Sequence, residues 1–145
     1  MYNGLLHLHN FLRWIIIILL LLNIVSALSG KKNLKQSLWL LIASHITLLV
    51  GLYQYFAGMM GFRLIQTLGM GEVMKNSASR FWAVEHISGM ILAIALITIA
   101  HISLKKQSSP KKSGVLFLIA LIIILAIVPW PFREGIARPW FPGMH

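Results

Sequence analysis

Four long apolar stretches dominate the pattern of hydrophobic and polar positions along the chain. They cover roughly residues 5–28, 37–56, 81–104 and 115–129, and short polar segments separate them. A helix that crosses the hydrocarbon core of a bilayer needs about 20 apolar residues. The pattern therefore predicts an all-α fold, an integral membrane four-helix bundle of up-down-up-down topology, in which residues 1–145 form a single transmembrane domain.

The composition agrees with a chain whose solvent is the bilayer. Hydrophobic residues make up 58% of the sequence and charged residues only 11%, whereas about a quarter of a soluble domain is charged. Thirteen Lys and Arg against three Asp and Glu give a formal net charge of +10. These cations cluster between the apolar stretches, where they meet anionic lipid headgroups. No aromatic stacking platform accompanies them, so we expect no nucleic-acid partner.

The distribution of lysine predicts the orientation in the membrane. The two short connections between apolar stretches carry Lys31, Lys32, Lys35, Lys105, Lys106, Lys111 and Lys112. Short cytoplasmic loops are enriched in Lys and Arg, so we expect these loops inside the cell and both termini outside, in the cell (inner) membrane. The amphipathic, Gly-rich segment of about residues 61–76 then lies on the outer surface, and Trp130 and Trp140 belong to an outer aromatic belt.

Histidine is the main candidate ligand. The chain has no Cys, which excludes disulfides, covalent haem attachment, iron–sulfur clusters and thiolate zinc sites. Four histidines fall in or at the edge of the apolar stretches, where an ionisable side chain is costly and normally functional: His9, His45, His86 and His101. His86 and His101 are separated by about 22 Å along one helix and by about 60° around it. This spacing suits a helix that holds two stacked haem groups, one in each leaflet.

The depths of the histidines predict how they pair. His9 and His86 both lie near the outer surface and would ligate an outer haem. His45 and His101 would ligate an inner haem, although their depths differ by roughly 9 Å. A second arrangement pairs His45 with His86 around a single haem and leaves His101 at the surface. Two haem groups are favoured over one. His7 is an alternative to His9, although it points about 200° away from His9 around the helix.

Other polar side chains have two interpretations each. Arg13 lies one turn from His9, where it would either meet a haem propionate or anchor the helix at the interface. Glu85 is either an ion-pair partner of Arg80 at a helix start or a proton acceptor for quinol. Small and polar residues that recur at helical spacing predict a packing seam on the second helix: Ser44, Thr47, Gly51, Gln54 and Gly58.

The histidine motifs resemble those of known haem proteins. The spacing of His86 and His101 resembles that on the haem-ligating helices of respiratory cytochrome b. Across all four apolar stretches, the chain resembles a group of small bacterial four-helix proteins described as cytochrome B. That resemblance rests on His9-Asn10-Phe11-Leu12-Arg13-Trp14, on Ala43-Ser44-His45 followed by Leu49-Val50-Gly51-Leu52, and on Val84-Glu85-His86-Ile87-Ser88. It implies b-type haem and carries over His9, His45 and His86 most directly.

Three functions are compatible with these features. The favoured one is a membrane b-type cytochrome with bis-His haem, an electron-transfer protein rather than a stand-alone enzyme, whose partners are quinone or a larger respiratory complex. The second is a non-redox accessory or assembly subunit of a membrane complex or homo-oligomer, in which His residues bond helices together. The third is a copper- or haem-handling protein, although four of the seven Met (Met59, Met60, Met70 and Met74) lie between the second and third apolar stretches, where Met is a common apolar residue.

Overall fold

The computed structural model describes residues 2–106, 110–133 and 136, and these residues are almost entirely helical. The helices are, in chain order, α1 (Tyr2–Leu28), α2 (Leu34–Ala57), α3 (Phe62–Leu68), α4 (Met70–Lys75), α5 (Ser77–Arg80), a π-helical turn (Phe81–Glu85), α6 (His86–Lys106) and α7 (Lys111–Ile127). No strand occurs within the described ranges, so the prediction of an all-α fold is confirmed.

The apolar character of the long helices suits a membrane. Three segments of the described chain are long and apolar enough to cross a bilayer: Asn3–Leu28, Leu34–Leu68 and Ser77–Lys106. The fourth predicted span corresponds to α7, which has 17 residues and begins at Lys111, earlier than the sequence pattern suggests. Pro110 precedes that start, and proline is well suited to the beginning of a helix because its φ angle is already helical. The predicted outer segment folds as the short helices α3 and α4.

The four long helices α1, α2, α6 and α7 surround a common apolar core. α1 contacts α2 and α7, and α6 contacts the same two helices, so α1 and α6 lie diagonally opposite each other. Every one of the four contributes fully buried core side chains, such as Leu20, Leu40, Ile97 and Phe117. In a bilayer, such side chains stabilise the helix assembly mainly through van der Waals contact, because the lipid tails are as apolar as they are.

Two glycines allow α7 to approach its neighbours closely. A Cβ atom on Gly114 would lie only 2.8 Å from Cδ2 of Leu28, and one on Gly89 would collide with Ile127. α7 therefore begins beside the end of α1 and ends beside the start of α6. It runs antiparallel to both.

One end of the helix assembly, here called the lysine end, carries the lysines of the two short connections. Lys32 Nζ donates a hydrogen bond of 3.1 Å to the carbonyl oxygen of Lys105, which joins the two connections. Asn23 Nδ2 donates to the carbonyl oxygens of Leu19 at 2.8 Å and Gln36 at 3.3 Å. Asn23 thus bonds α1 to the start of α2.

The opposite end, here called the cavity end, contains the π-helical turn that leads into α6. The backbone N–H of His86 bonds to the carbonyl oxygen of Phe81, five residues back. Tyr55 Oη donates a hydrogen bond of 2.7 Å to the carbonyl oxygen of Ala83, inside the same turn, and so ties it to α2. Such turns insert one residue into a helix and are frequent at functional sites, where they re-aim the side chains that follow. Here the side chain that follows is His86.

Candidate functional site

A cavity of about 830 Å³ opens at the cavity end and extends between the four long helices toward the middle of the helix assembly. Its volume lies within the range of about 300–1,000 Å³ that is usual for small-molecule and cofactor sites. The part nearest the cavity end is polar and is lined by His7, His9, Asn10, Arg13, Gln54 and His86. The deeper part is mostly apolar and is lined by Met90, Ile94, Ile97 and Ile124, together with Ser44 and Thr47, whose hydroxyl groups donate to backbone carbonyls of their own helix. The cavity therefore suits a molecule with one polar edge and an apolar body.

Two histidines from diagonally opposite helices face each other in the polar part. The ring centres of His9 on α1 and His86 on α6 are 6.3 Å apart, and the ring planes make an angle of 65°. The sequence predicted this pair from depth alone. α1 contributes His9 to this contact and α6 contributes His86, and His7 of α1 lines the same cavity.

A backbone hydrogen bond fixes the orientation of the His86 ring. Nδ1 of His86 lies 2.9 Å from the carbonyl oxygen of Ile127, at the end of α7. A carbonyl oxygen can only accept, so Nδ1 carries the proton and Nε2 keeps its lone pair. Histidines that bind a metal commonly hold their second nitrogen in this way, because the bond sets both the tautomer and the ring direction. Nε2 of His86 is thus available to accept a hydrogen bond or to bind a metal ion.

His9 is held by packing instead. Its Nδ1 atom is buried and has no hydrogen-bond partner among the residues that the structure describes. The ring lies over Gly51 of α2, where an added Cβ atom would be 3.4 Å from Cε1 of His9. A buried polar nitrogen without a partner costs free energy, and such groups in native proteins usually have a reason, such as a bound ion or ligand. Either nitrogen of a neutral imidazole can serve a metal.

Arg13 lies one helical turn from His9 and lines the same cavity. Its Nη2 donates a hydrogen bond of 3.0 Å to Oδ1 of Asn10. Its guanidinium carbon is 5.2 Å from the ring centre of Trp14 and 5.4 Å from that of Trp130, so two indoles hold the cation in place. Arg13 is thus held between two tryptophans and also borders the cavity, and its contact with a haem propionate stays a prediction.

Gln54 adds a second donor at the polar part. Its Nε2 atom is buried and has no partner within the described part of the chain. Together with Ser44, Thr47 and Gly51 it lines the cavity. These four residues belong to the seam that the sequence suggested for helix packing. Ser44 and Thr47 are buried, as a packing seam requires, and all four residues also border the cavity.

The structure does not bring His45 and His101 together. Nδ1 of His101 shares a hydrogen bond of 2.7 Å with Ser37 Oγ, so the buried His101 lies at the level of residue 37. His45 is eight residues further along α2, or about 12 Å. It is exposed, and its Nδ1 donates a hydrogen bond of 2.8 Å to the carbonyl oxygen of Leu41. The depth difference noted in the sequence is therefore real and separates the predicted inner pair.

The second predicted pairing, His45 with His86, is not present either. His86 borders the cavity, whereas His45 is on the outward face of α2 and is not among the lining residues. No cluster of three or more His, Cys, Asp or Glu occurs within residues 2–106, 110–133 and 136. His9, His86 and the alternative ligand His7 line the same cavity, and His9 and His86 are in ring contact there.

Glu85 forms the ion pair with Arg80 that was one of its two predicted roles. Nε of Arg80 donates a hydrogen bond of 2.7 Å to Oε1 of Glu85, and both side chains are partly exposed. Glu85 does not line the large cavity, although it is next to His86 in sequence. Trp130, expected in an aromatic belt, packs against Trp14 with ring centres 5.9 Å apart. Trp140, expected in the same belt, lies outside the described residues.

The separation of the two facing rings fits coordination of one metal ion. An imidazole nitrogen binds a transition metal at about 2.0 Å and lies roughly 1.1 Å from its ring centre, so two imidazoles on opposite sides of one ion have centres about 6.2 Å apart. The observed value is 6.3 Å. An ordinary edge-to-face packing contact has ring centres about 4.5–7 Å apart, so the distance by itself does not decide between the two. The prepared lone pair of His86 and the cavity around both rings favour the ligand pair.

Several features of this site were not apparent from the sequence. The carbonyl oxygen of Ile127 and the π-helical turn are backbone features, and no side-chain pattern encodes them.

In comparisons with protein-family models, curated proteins and solved structures, the chain has no match.

Proposed function

We propose that this protein is a membrane b-type cytochrome that binds one haem between His9 and His86 and transfers electrons. The observation that carries the proposal is the pair of imidazoles that face each other at 6.3 Å across a cavity with one polar edge. Haem b, when bound, supplies a centre that gains and loses one electron.

The residues of the chain have distinct tasks in this proposal. His9 and His86 would hold the haem iron through one ring nitrogen each, and the carbonyl oxygen of Ile127 fixes the ring of His86. Arg13 and Gln54 supply hydrogen-bond donors at the polar edge, where the carboxylates of a haem would need them. The apolar side chains of the deeper part exclude water. Exclusion of water and fixed ligands are two of the means by which a protein tunes a haem potential.

The proposal contains one haem and not the favoured two. His101 already has a buried partner in Ser37, and His45 points outward at a different depth. Nothing in the arrangement of these two side chains supports a second site at the lysine end.

The proposed topology is a four-helix bundle of up-down-up-down type in the inner membrane, with both termini outside. All seven lysines of the short connections lie at one end of the helix assembly, as the positive-inside rule requires of cytoplasmic loops. α7 spans about 26 Å over its 17 residues, close to the thickness of the hydrocarbon core. Electron partners for a haem near the outer surface are a quinol from the bilayer or a redox protein of a larger respiratory complex.

The topology is tested with single cysteines, since the chain has none of its own. In intact spheroplasts, Gln66→Cys on α3 is expected to react with a membrane-impermeant maleimide, whereas Lys31→Cys reacts only after lysis. Reaction of both from the same side would contradict the proposed arrangement.

The haem assignment is tested by imidazole rescue. The reduced-minus-oxidised spectrum of the purified protein is expected to show a b-type α-band, and His9→Gly and His86→Gly each lose it. Free imidazole restores the band in both variants, because the small ligand fills the space that the side chain left. His45→Gly is the matched control, with the same backbone change at an exposed site, and it keeps the band without imidazole.

Two results would reject this function. If the wild-type protein, folded and supplied with haem, stays colourless, the chain is an accessory or assembly subunit and the His9–His86 contact is structural. If the band survives both glycine substitutions, the ligands are other residues.

A further inference from the structure

The end of α7 has two carbonyl oxygens for which its own backbone offers no donor. In an α-helix the carbonyl oxygen of each residue accepts from the N–H group four residues further along the chain. The donor for Leu125 would be residue 129, and the donor for Ile127 would be residue 131. Both positions hold proline, Pro129 and Pro131, which has no N–H group. Side chains take over instead, and Nε1 of Trp130 donates a hydrogen bond of 2.9 Å to the carbonyl oxygen of Leu125.

Arg133 holds the carbonyl groups on both sides of Ile127. Its Nη1 atom donates hydrogen bonds of 3.1 Å to the carbonyl oxygens of Ala126 and Val128. The carbonyl group of Ile127 belongs to the peptide plane between those two, so fixing the outer planes restricts the middle one. That middle oxygen is the acceptor for Nδ1 of His86, at 2.9 Å. Arg133 thus fixes, through the backbone, the group that sets the direction of the His86 ring.

An aromatic side chain connects Arg133 with His86 by a second path. The guanidinium carbon of Arg133 is 4.9 Å from the ring centre of Phe81, which places the cation over the ring. Phe81 is buried, and its ring centre is 5.5 Å from that of His86. Its carbonyl oxygen also accepts from the backbone N–H of His86 in the π-helical turn. Phe81 therefore packs against both residues, and the stacked cation limits how far either ring can turn.

We propose that Arg133 is a positioning residue for His86, because it fixes the carbonyl group that sets the tautomer and the direction of the ring. The inference rests on the proposed function, since the direction of the ring affects chemistry only if His86 binds haem. A carbonyl acceptor at Nδ1 makes an imidazole a stronger electron donor to a metal, and a stronger donor favours the oxidised metal. An arginine that only capped α7 would change the stability of the protein and neither of these properties.

The first test uses protein without haem. Nitrogen-15 NMR of the histidine rings reports which ring nitrogen carries the proton, and His86→Gln identifies the signals of His86. In the wild type we expect the proton on Nδ1. In Arg133→Lys we expect a mixture of both tautomers, because lysine keeps the charge but lacks the planar group that stacks and binds in a fixed direction. Arg133→Ala is expected to show the same mixture, so the test does not depend on the folding of one variant.

Arg63→Lys is the matched control, because Arg63 is an exposed residue of α3 at the same end of the helix assembly. It is expected to keep the wild-type spectrum. A single Nδ1–H form of His86 in both Arg133 variants would overturn the inference, and so would a mixture in Arg63→Lys equal to that in Arg133→Lys.

The second test uses protein loaded with haem. In Arg133→Lys the midpoint potential is expected to rise, because a weaker hydrogen bond at Nδ1 makes His86 a weaker electron donor. The electron paramagnetic resonance g values of the oxidised haem are expected to shift, because they depend on the angle between the two imidazole planes. Arg63→Lys leaves both properties unchanged. Wild-type potential and g values in Arg133→Lys would overturn the inference while the haem assignment stands. A tautomer change in a protein that binds no haem would instead reject the proposed function and leave the positioning of His86 in place.

Discussion

The histidines at the two ends of the third long helix are in contrasting environments, although both lie on α6 and only about 60° apart around it. At the cavity end, His86 meets His9 of the diagonally opposite helix across an open volume, and one of its nitrogens is left free. Toward the lysine end, His101 meets Ser37 of the adjacent helix, is buried and is bonded at Nδ1. The contrast shows that the spacing of two histidines along one helix does not determine whether they form a site. The residues that the neighbouring helices place beside each histidine determine it.

The two environments also differ in whether the protein supplies a hydrogen-bond partner for each buried histidine nitrogen. Ser37 matches His101 directly, so no further molecule is needed at that place. His9 keeps a buried Nδ1 atom without a hydrogen-bond partner in the described chain, and the ring of His86 lines the same cavity with only its Nδ1 hydrogen-bonded. A buried polar nitrogen without a partner costs free energy. We therefore assign chemistry to the cavity end and structure to the lysine end.

The sharpest test of the contrast exchanges each of the two histidines of α6 for alanine. His86→Ala is expected to lower the haem content from one per chain to almost none, because an axial ligand is lost and no other histidine of α6 lies at that depth. His101→Ala is expected to leave the content unchanged. Haem content per mole of purified protein measures both effects. Loss of half the haem in His101→Ala would restore the inner site.

A smaller loss of haem is expected from substitution of Gly51, the cavity residue that packs against the His9 ring. Gly51→Leu should displace the His9 ring, because an added Cβ atom already lies 3.4 Å from Cε1 and the rest of the leucine needs the space of the ring. We expect most of the haem to be lost, whereas Gly51→Ala retains it. Gly4→Leu is the control, since nothing lies within 4 Å of a Cβ atom there. Equal haem content in Gly51→Leu and wild type would show that His9 does not bind haem in this position.

A third prediction concerns the charge of Arg13. Arg13→Gln removes a positive charge from the edge of the cavity. Because the loss of this charge destabilises the reduced haem, the midpoint potential is expected to fall by on the order of 50 mV. Lys106→Gln, at the lysine end, is expected to change it by less than about 10 mV, because distance and salt screen that charge. Redox titration of the α-band measures both variants. A rise of the potential in Arg13→Gln, or equal shifts in the two variants, would place Arg13 away from the haem.

The smallest effect is expected at the lysine end. Ser37→Ala leaves Nδ1 of the buried His101 without its partner, which should lower the free energy of unfolding by about 1–3 kcal/mol. Ser44→Ala should cost less, since Ser44 Oγ bonds only to the carbonyl oxygens of Leu40 and Leu41 in its own helix. Denaturation of both variants in mild detergent gives the difference. Haem content should stay at the wild-type value in Ser37→Ala, and a loss there would mean that His101 acts on the haem after all.

The sequence was informative where one helix can be considered by itself. Lengths of apolar stretches predicted the three longest helical segments, and the depth of His9 and His86 below the same surface predicted that they meet. The direction in which a side chain points depends on neighbouring helices, which is why His45 was expected inside and is outside. The sequence did contain a signal, because the small and polar residues Ser44, Thr47, Gly51 and Gln54 lie about 100–180° around α2 from His45. That stripe faces the interior, so His45 faces away from it.

Features of the backbone and of packing were also beyond sequence reasoning. The π-helical turn at Phe81–Glu85 changes the direction of His86, and its hydrogen-bond shift leaves no mark in residue type. The seam from Ser44 to Gln54 was identified, but small residues suit helix packing and cavity walls equally well. Only the arrangement of α1, α2 and α6 decides that this seam borders the cavity.

The central claim is that the cavity end binds haem and the lysine end does not, and the haem-to-protein ratio tests it most directly. The pyridine haemochrome assay is applied to wild-type protein saturated with haem and to the double variant His45→Ala/His101→Ala. The account predicts one haem per chain in both proteins. A ratio of two in the wild type that falls to one in the double variant would contradict it.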